Sequence, residues 1–348
     1  FHIICSDDTT RQVDDSELKT NIGDLKIPVD TNVDKISSWL TKHKKKKVVI
    51  FTTYQSGKTL STAAKKVGFK FNFGIFDEAH KTVGLKDRQS AHLLYDNNIR
   101  IDQRMFMTAT ERFYRGSNEE INSMDDFDLY GDEFHQLSFR EAIELSKKMK
   151  RPILSDYEVI PIATPISEVK ELIDKNIFVK PNTLNEDVYT RFLASIILLR
   201  KTMKNFDIKH AVSFHSSIAK AKAFKDSQSK FSKAFPEFGN IESFFIDGKY
   251  LSSKRRKIIR DFLNEDVSLI TNARCLTEGV DIPEIDCIIF VDPKKSKIDI
   301  VQALGRAIRY YKGKEKGYII LPIVLNDVED SRKDSDYEQI LMAIRQLG

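Results

Sequence analysis

An α/β fold of two tandem parallel-sheet domains is what this sequence predicts, and three observations predict it. Short β-rich apolar runs alternate with helical stretches, the pattern of parallel strands joined by crossover helices. The alternation comes in two series, separated by a stretch that is first acidic and then carries Pro152, Pro161, Pro165 and Pro181. A length of 348 residues, 41% of them hydrophobic, suffices for about two domains with cores of their own.

The first series places strands at 1–5 (FHIIC), 48–53 (VVIFTT), 73–77 (FGIFD) and 104–108 (RMFMT). The second places them at 211–215 (AVSFH), 243–247 (SFFID), 267–271 (VSLIT), 286–292 (DCIIFVD) and 317–324 (GYIILPIV). Apolar positions at three- and four-residue steps predict helices in 252–264 (SSKRRKIIRDFLN) and 299–311 (DIVQALGRAIRYY). The expected domains are 1–150 and 151–348, with a linker or insertion around 160–200. The only low-complexity tract is KHKKKK at 42–47, which reads as a solvated charge run before a strand or as a grip on phosphates.

Composition excludes some classes. No apolar run approaches the ~20 residues of a membrane helix, and FHIICSDDTT lacks a basic leader and a small-residue cleavage site. Cys5, Cys275 and Cys287 form no ligand pattern, and their odd number argues against a disulfide framework, so a reducing cytoplasm and no structural metal are expected. A net charge of +5 permits an anionic partner without establishing one.

The chemistry sits at strand ends. FGIFDEAH places Asp77 and Glu78 at the carboxyl end of an apolar strand, where open α/β sheets bind ligands. There Asp77 would hold Mg2+ and Glu78 would orient and deprotonate an attacking water. Alone, DEAH also reads as a surface turn with a capping Asp. MTAT closes the next strand with Thr108 and Thr110, and LITNARCLTEGVDIP (269–283) follows a strand with a polar loop, Gly279 and Asp281. In QALGRAIR, Gln302, Arg306 and Arg309 stand four and three residues apart, which predicts one helical face carrying all three. Arginines supplied from a second domain suit the charge that develops during phosphoryl transfer.

In this order the motifs resemble those of the superfamily 2 helicases and translocases. DEAH, TAT, TNARCLTEGVD and QALGRAIR match motifs II, III, V and VI, AVSFHSS (211–217) stands at motif IV, and the resemblance covers nearly the whole chain. It implies two RecA-like domains in tandem, the first N-terminally incomplete, with ATP and Mg2+ at their interface. Asp77 would be the metal ligand and Glu78 the general base, with His80, Gly279 and Asp281 also on the nucleotide side. Gln302 would position the γ-phosphate, Arg306 and Arg309 would stabilise its charge, and Thr108 and Thr110 would couple the cleft to the nucleic-acid track.

A narrower resemblance is to the duplex-DNA translocases of bacterial restriction systems and their predicted-helicase relatives. TYQS, DEAHKTVG, DLYGDEFHQLSFREAI (128–143) and LSDYEVI (154–160) carry it, with Tyr130, Gly131, Phe134, Phe139, Ala142, Ile143, Asp156 and Tyr157 expected in packing and hinge roles. It implies double-stranded DNA as partner, with any fused nuclease or methyltransferase outside this chain. The core motifs alone leave an RNA helicase, or a binding module without hydrolysis, as alternatives. Candidate nucleic-acid contacts are Thr53, Tyr54, Gln55 and Ser56 in the first domain and Ser216, Lys249, Thr271 and Arg274 in the second, each of which also reads as a turn or cap residue.

QSGKT (55–59) looks like the end of a phosphate-binding loop, GxxxxGK[ST]. The position of the first required glycine holds Thr52, and fewer than twenty residues separate Lys58 from Asp77. Gly57 to Thr59 are therefore expected to begin a helix, with the family's motif I lying upstream of Phe1.

Overall fold

The computed structural model describes residues 1–4, 29–116, 120–150, 152–165, 186–273, 282–292, 297–325 and 340. It separates into two compact units, Phe1–His135 and Gln136–Gly348.

In the first unit, β1 (His2–Ile4) pairs in parallel with β2 (Val29–Asp30) and with β3 (Ile50–Thr52). A second parallel pair joins β4 (Phe71–Phe76) to β6 (Ile101–Phe106), and a short antiparallel pair joins β5 (Gly84–Leu85) to β7 (Ile121–Asn122). Helix α1 (Val33–His43) starts where Asn32 accepts hydrogen bonds from the Asp34 and Lys35 amides, a cap worth about 1 kcal/mol. Its Ile36 and Leu40 pack with Leu60 of α2 (Gly57–Lys66) and with Ile4, Phe76 and Ile101 in one core. α3 (Phe127–Tyr130) adds the buried Tyr130. The lysines at 44–47 are exposed just beyond α1.

The second unit is a six-stranded parallel sheet in the order β10-β11-β9-β12-β13-β8. Its strands are β8 (Asp156–Pro165), β9 (His210–Phe214), β10 (Glu242–Phe245), β11 (Ser268–Asn272), β12 (Cys287–Phe290) and β13 (Lys316–Leu325). Both faces are covered, which is why the strands read as continuous apolar runs rather than alternating ones. In β12, Cys287 and Ile289 enter one core with Leu193, Phe224 and Phe231, while Ile288 and Phe290 enter the other with Phe262, Ile300 and Leu304. The helices are α4 (Phe139–Lys148), α5 (Glu186–Asn205), α6 (Ile218–Ala234), α7 (Ser252–Asn264) and α8 (Lys297–Ala307).

The nine expected strands are present with ends shifted by a residue or a few. Two elements stand where the prolines predicted a connector. β8 contains Pro161 and Pro165, and it lies at the sheet edge, where alternate N–H groups face away from the neighbour. α5 supplies Phe192, Leu193, Ile196 and Ile197 to the core of the unit, so these residues belong to its body. The second unit begins at Gln136, ahead of the expected boundary at 150. α4 packs there because Phe139 lies against the core of that unit and Ser146 Oγ accepts from the Ile153 and Leu154 amides, at 2.6 and 2.8 Å.

Candidate functional site

In the first unit, β4 and β6 run in register, Phe76 opposite Phe106. Two further backbone bonds continue the pairing past the strands: the Met107 amide donates to Phe76 O and the Ala79 amide to Met107 O, both at 2.9 Å. The DEAH turn and the TAT segment therefore lie side by side at the carboxyl ends of their strands.

Within the turn, Asp77 Oδ1 accepts the Glu78 amide at 3.0 Å, which leaves Oδ2 on the exposed side chain for other partners. Glu78 adopts φ 53°, ψ 46°, a left-handed conformation that costs a residue with a Cβ about 1–2 kcal/mol. His80 is buried, and its Nδ1 lies 3.0 Å from Thr108 Oγ1 and 3.3 Å from Glu78 Oε2. Thr108 spends its hydroxyl hydrogen on Thr110 O at 2.8 Å and accepts the Thr110 amide at 3.2 Å. His80 Nδ1 must then be the donor, and its hydrogen is shared by Thr108 and Glu78.

The TYQS residues form one rigid turn. Thr53 Oγ1 accepts the Ser56 amide and caps the 3-10 turn Tyr54–Ser56, which runs straight into α2 at Gly57. Thr53 and Gln55 are exposed, Ser56 is buried, and the Tyr54 hydroxyl donates to the Asp77 carbonyl at 2.7 Å. Gly57 has ordinary right-handed helical angles, and a Cβ there would stand 2.9 Å from Leu93 Cγ. Close packing dictates this glycine. Lys58 points to solvent while its carbonyl accepts the Ser61 and Thr62 hydroxyls.

In the second unit, a cavity of about 400 Å³ opens at the carboxyl ends of β9, β10 and β11, lined by Ser216, Ser217, Ile246, Asp247, Lys249 and Ala273 among others. Ser217 caps α6 by accepting the Lys220 amide at 3.2 Å. The Ser216 amide and hydroxyl both donate to Asp292 Oδ2, at 2.8 and 3.0 Å, and Lys220 Nζ donates to Oδ1 at 2.7 Å. Those hydrogen bonds hold the Asp292 carboxyl below its ordinary range against the opposing effect of burial. Asp292 was not among the expected site residues, although DCIIFVD ends on a carboxylate just as FGIFD does.

Three expectations change. Thr271 is fully buried and its hydroxyl donates to Phe244 O at 3.2 Å, so it serves the sheet and offers no surface to a nucleic acid. Gln302 and Arg306 share a face of α8, but the helix ends at Ala307 and Arg309 lies beyond it, bridged to Leu154. Helical spacing fails at Arg309 because the chain turns there to pair with 153–155: Ser155 donates to Ile308 O and Tyr310 to Ile153 O. His80, expected beside the nucleotide, is buried against Thr108. Arg274, Gly279 and Asp281 lie outside the described residues.

A strongly perturbed carboxylate also occurs away from these sites. Burial pushes Asp286 up to about 6, and it accepts the Lys209 and His210 amides at the amino ends of the strands, a structural position.

Residues 195–311 match the Helicase conserved C-terminal domain. Probable helicase A859L of African swine fever virus is 24% identical over 285 residues, which cover 80% of this chain and 28% of that protein. The DNA-bound ATP-dependent Type ISP restriction-modification enzyme LlaBIII matches with TM-score 0.73 and 27% identity, over 99% of this chain and 24% of that one. A nuclease-deletion mutant of the Type ISP enzyme LlaGI, solved with a DNA substrate mimic, shares the fold with TM-score 0.56 and 24% identity, over 99% of this chain and 22% of that one. The chain thus spans about a quarter of the length of these relatives. Residues 195–311 of this chain thus match a helicase domain, and over most of its length the chain, with its two α/β units and its ordered DEAH, TAT and QALGRAIR motifs, is similar to a probable helicase and to a Type ISP restriction-modification enzyme.

Proposed function

We propose that this chain is the motor portion of an ATP-dependent DNA helicase or duplex-DNA translocase, coupling ATP hydrolysis to movement along DNA. The observation that carries the reading is the hydrogen-bonded run from Glu78 through His80 to Thr108 and Thr110. It ties a carboxylate able to act as general base to the neighbouring strand end, so a displacement of one is felt by the other.

The residues fit Mg2+ and ATP as ligands. A hard cation that arrives with a nucleotide takes one or two protein carboxylates and completes its shell with phosphates and water. Asp77 offers that: an exposed carboxylate with one oxygen committed to the Glu78 amide, and no cluster of three or more His, Cys, Asp or Glu able to hold a metal occurs among the described residues. Bound Mg2+ neutralises charge on the phosphates during transfer. Glu78 would take the proton of the attacking water, His80 would hold the Glu78 carboxylate in place, and Gln302, Arg306 and Arg309 would serve the γ-phosphate. Thr53, Gln55, Ser217 and Lys249 are the exposed or cavity-lining groups suited to a phosphate backbone. The DNA-bound enzyme LlaBIII supports DNA as the track, and duplex DNA, an associated nuclease or methyltransferase and a cytoplasmic location complete the proposal.

ATP hydrolysis by the full-length protein, with and without duplex DNA or RNA, tests it. Duplex DNA should stimulate turnover and RNA should not. Glu78→Gln should cut turnover at least ~100-fold while nucleotide binding persists, and unchanged turnover would remove Glu78 from the role.

A further inference from the structure

Tyr54 belongs to the turn whose neighbours Thr53 and Gln55 face solvent, yet its own hydroxyl reaches inward, 2.7 Å from the Asp77 carbonyl oxygen. That carbonyl is one end of the peptide joining Asp77 to Glu78. The other end, the Glu78 amide, is held by Asp77 Oδ1 at 3.0 Å. The single peptide between the two carboxylate residues is thus clamped at both ends, and it leads into the left-handed Glu78. Strained conformations of this kind persist only where their surroundings over-determine them. On the carbonyl side the clamp is the Tyr54 hydroxyl.

The turn that carries Tyr54 is itself fixed. Thr53 caps it, Gly57 packs against Leu93, and the Tyr54 ring packs against the core of the first unit. Any shift of the turn is therefore carried to the Asp77–Glu78 peptide through one short hydrogen bond.

We infer that Tyr54 is a positioning residue that reports occupancy of the 53–56 turn by a DNA backbone to the Glu78 carboxylate, and is not itself a DNA contact. Its one O–H hydrogen is committed to Asp77, whereas Thr53 and Gln55 remain outward.

The inference rests on the motor reading above, and the test separates the two. Tyr54→Phe deletes the hydroxyl and keeps the ring. In the full-length protein, DNA-stimulated kcat should fall at least tenfold, while duplex affinity by fluorescence anisotropy and KM for ATP stay within twofold and the melting temperature stays near that of the parent. A Gln55→Ala control should weaken duplex binding instead. Parent-like stimulation in Tyr54→Phe overturns the positioning role and leaves the motor reading intact. A loss of duplex affinity in Tyr54→Phe makes Tyr54 a contact and also overturns it, as does a joint fall of kcat, affinity and melting temperature, which marks a merely structural residue. A parent protein without DNA-stimulated turnover overturns the motor reading, and this role with it.

Discussion

His80 Nδ1 and Thr108 Oγ1 lie 3.0 Å apart, a hydrogen bond that joins two motifs 28 residues distant in sequence. Strand register places them there, since β4 and β6 end together and backbone bonds carry the pairing into both loops. The contact makes the carboxylate turn and the TAT segment one mechanical unit.

Thr108→Val keeps the shape of the side chain and removes its hydroxyl. It should cost about 1 kcal/mol of stability, because His80 keeps Glu78 as acceptor but loses Thr108, and the Thr110 backbone loses its hydroxyl partner. DNA-stimulated turnover should fall at least tenfold while nucleotide affinity stays within twofold. Steady-state kinetics beside a nucleotide titration check this, and unchanged turnover would deny the link a part in coupling.

Gly57 and Lys58 give a pair of contrasting outcomes. Gly57→Ala gains up to ~1 kcal/mol in helix propensity, yet its Cβ would meet Leu93 Cγ at 2.9 Å. Overpacking of this kind costs ~1–3 kcal/mol, so urea denaturation should show a net loss, relieved in the double variant with Leu93→Ala. Lys58→Ala should change stability by under ~0.5 kcal/mol and leave ATP affinity unaltered. A tenfold loss of ATP affinity in Lys58→Ala would instead make residues 55–59 a phosphate loop.

His215 supplies a pH dependence. It is buried against Phe224, its Nε2 lies 2.9 Å from Ser213 Oγ, and the charged groups facing it are Asp292 and Lys220. Burial outweighs the attraction of Asp292 and pushes the imidazole well below its ordinary 6.5. Below pH 6.5 the unfolded chain binds a proton that the folded chain does not, so stability falls as pH falls, by up to about 1.4 kcal/mol per pH unit. The stability of the parent relative to His215→Gln should therefore shrink between pH 7 and pH 5. A constant difference across that range would mean that His215 takes up its proton without unfolding.

Particular residues mark how far the sequence could be read. Strand tips were legible at Asp77 and at Thr108 because an apolar run followed abruptly by carboxylates or hydroxyls has few other readings. Pro161 and Pro165 misled, since proline reads as a breaker unless the strand is known to be an edge, and edge position is a property of the whole sheet. Arg309 misled for a related reason: helical spacing holds only while the helix lasts, and the bridge to Leu154 ends it. Thr271 has a sequence context like that of a strand-end contact, yet it is fully buried in the sheet.

The sequence by itself determined the elements, their alternation and the identity of the chemical groups at strand ends, because periodicity and residue chemistry are local. Only tertiary structure decided which of those groups meet. Tyr54 turns inward to Asp77, His80 joins Glu78 to Thr108, and Asp292 gathers Ser216 and Lys220 across 72 to 76 residues of chain. Hydrogen bonds act over about 3 Å, and such proximity between distant residues exists only once the strands have taken their register.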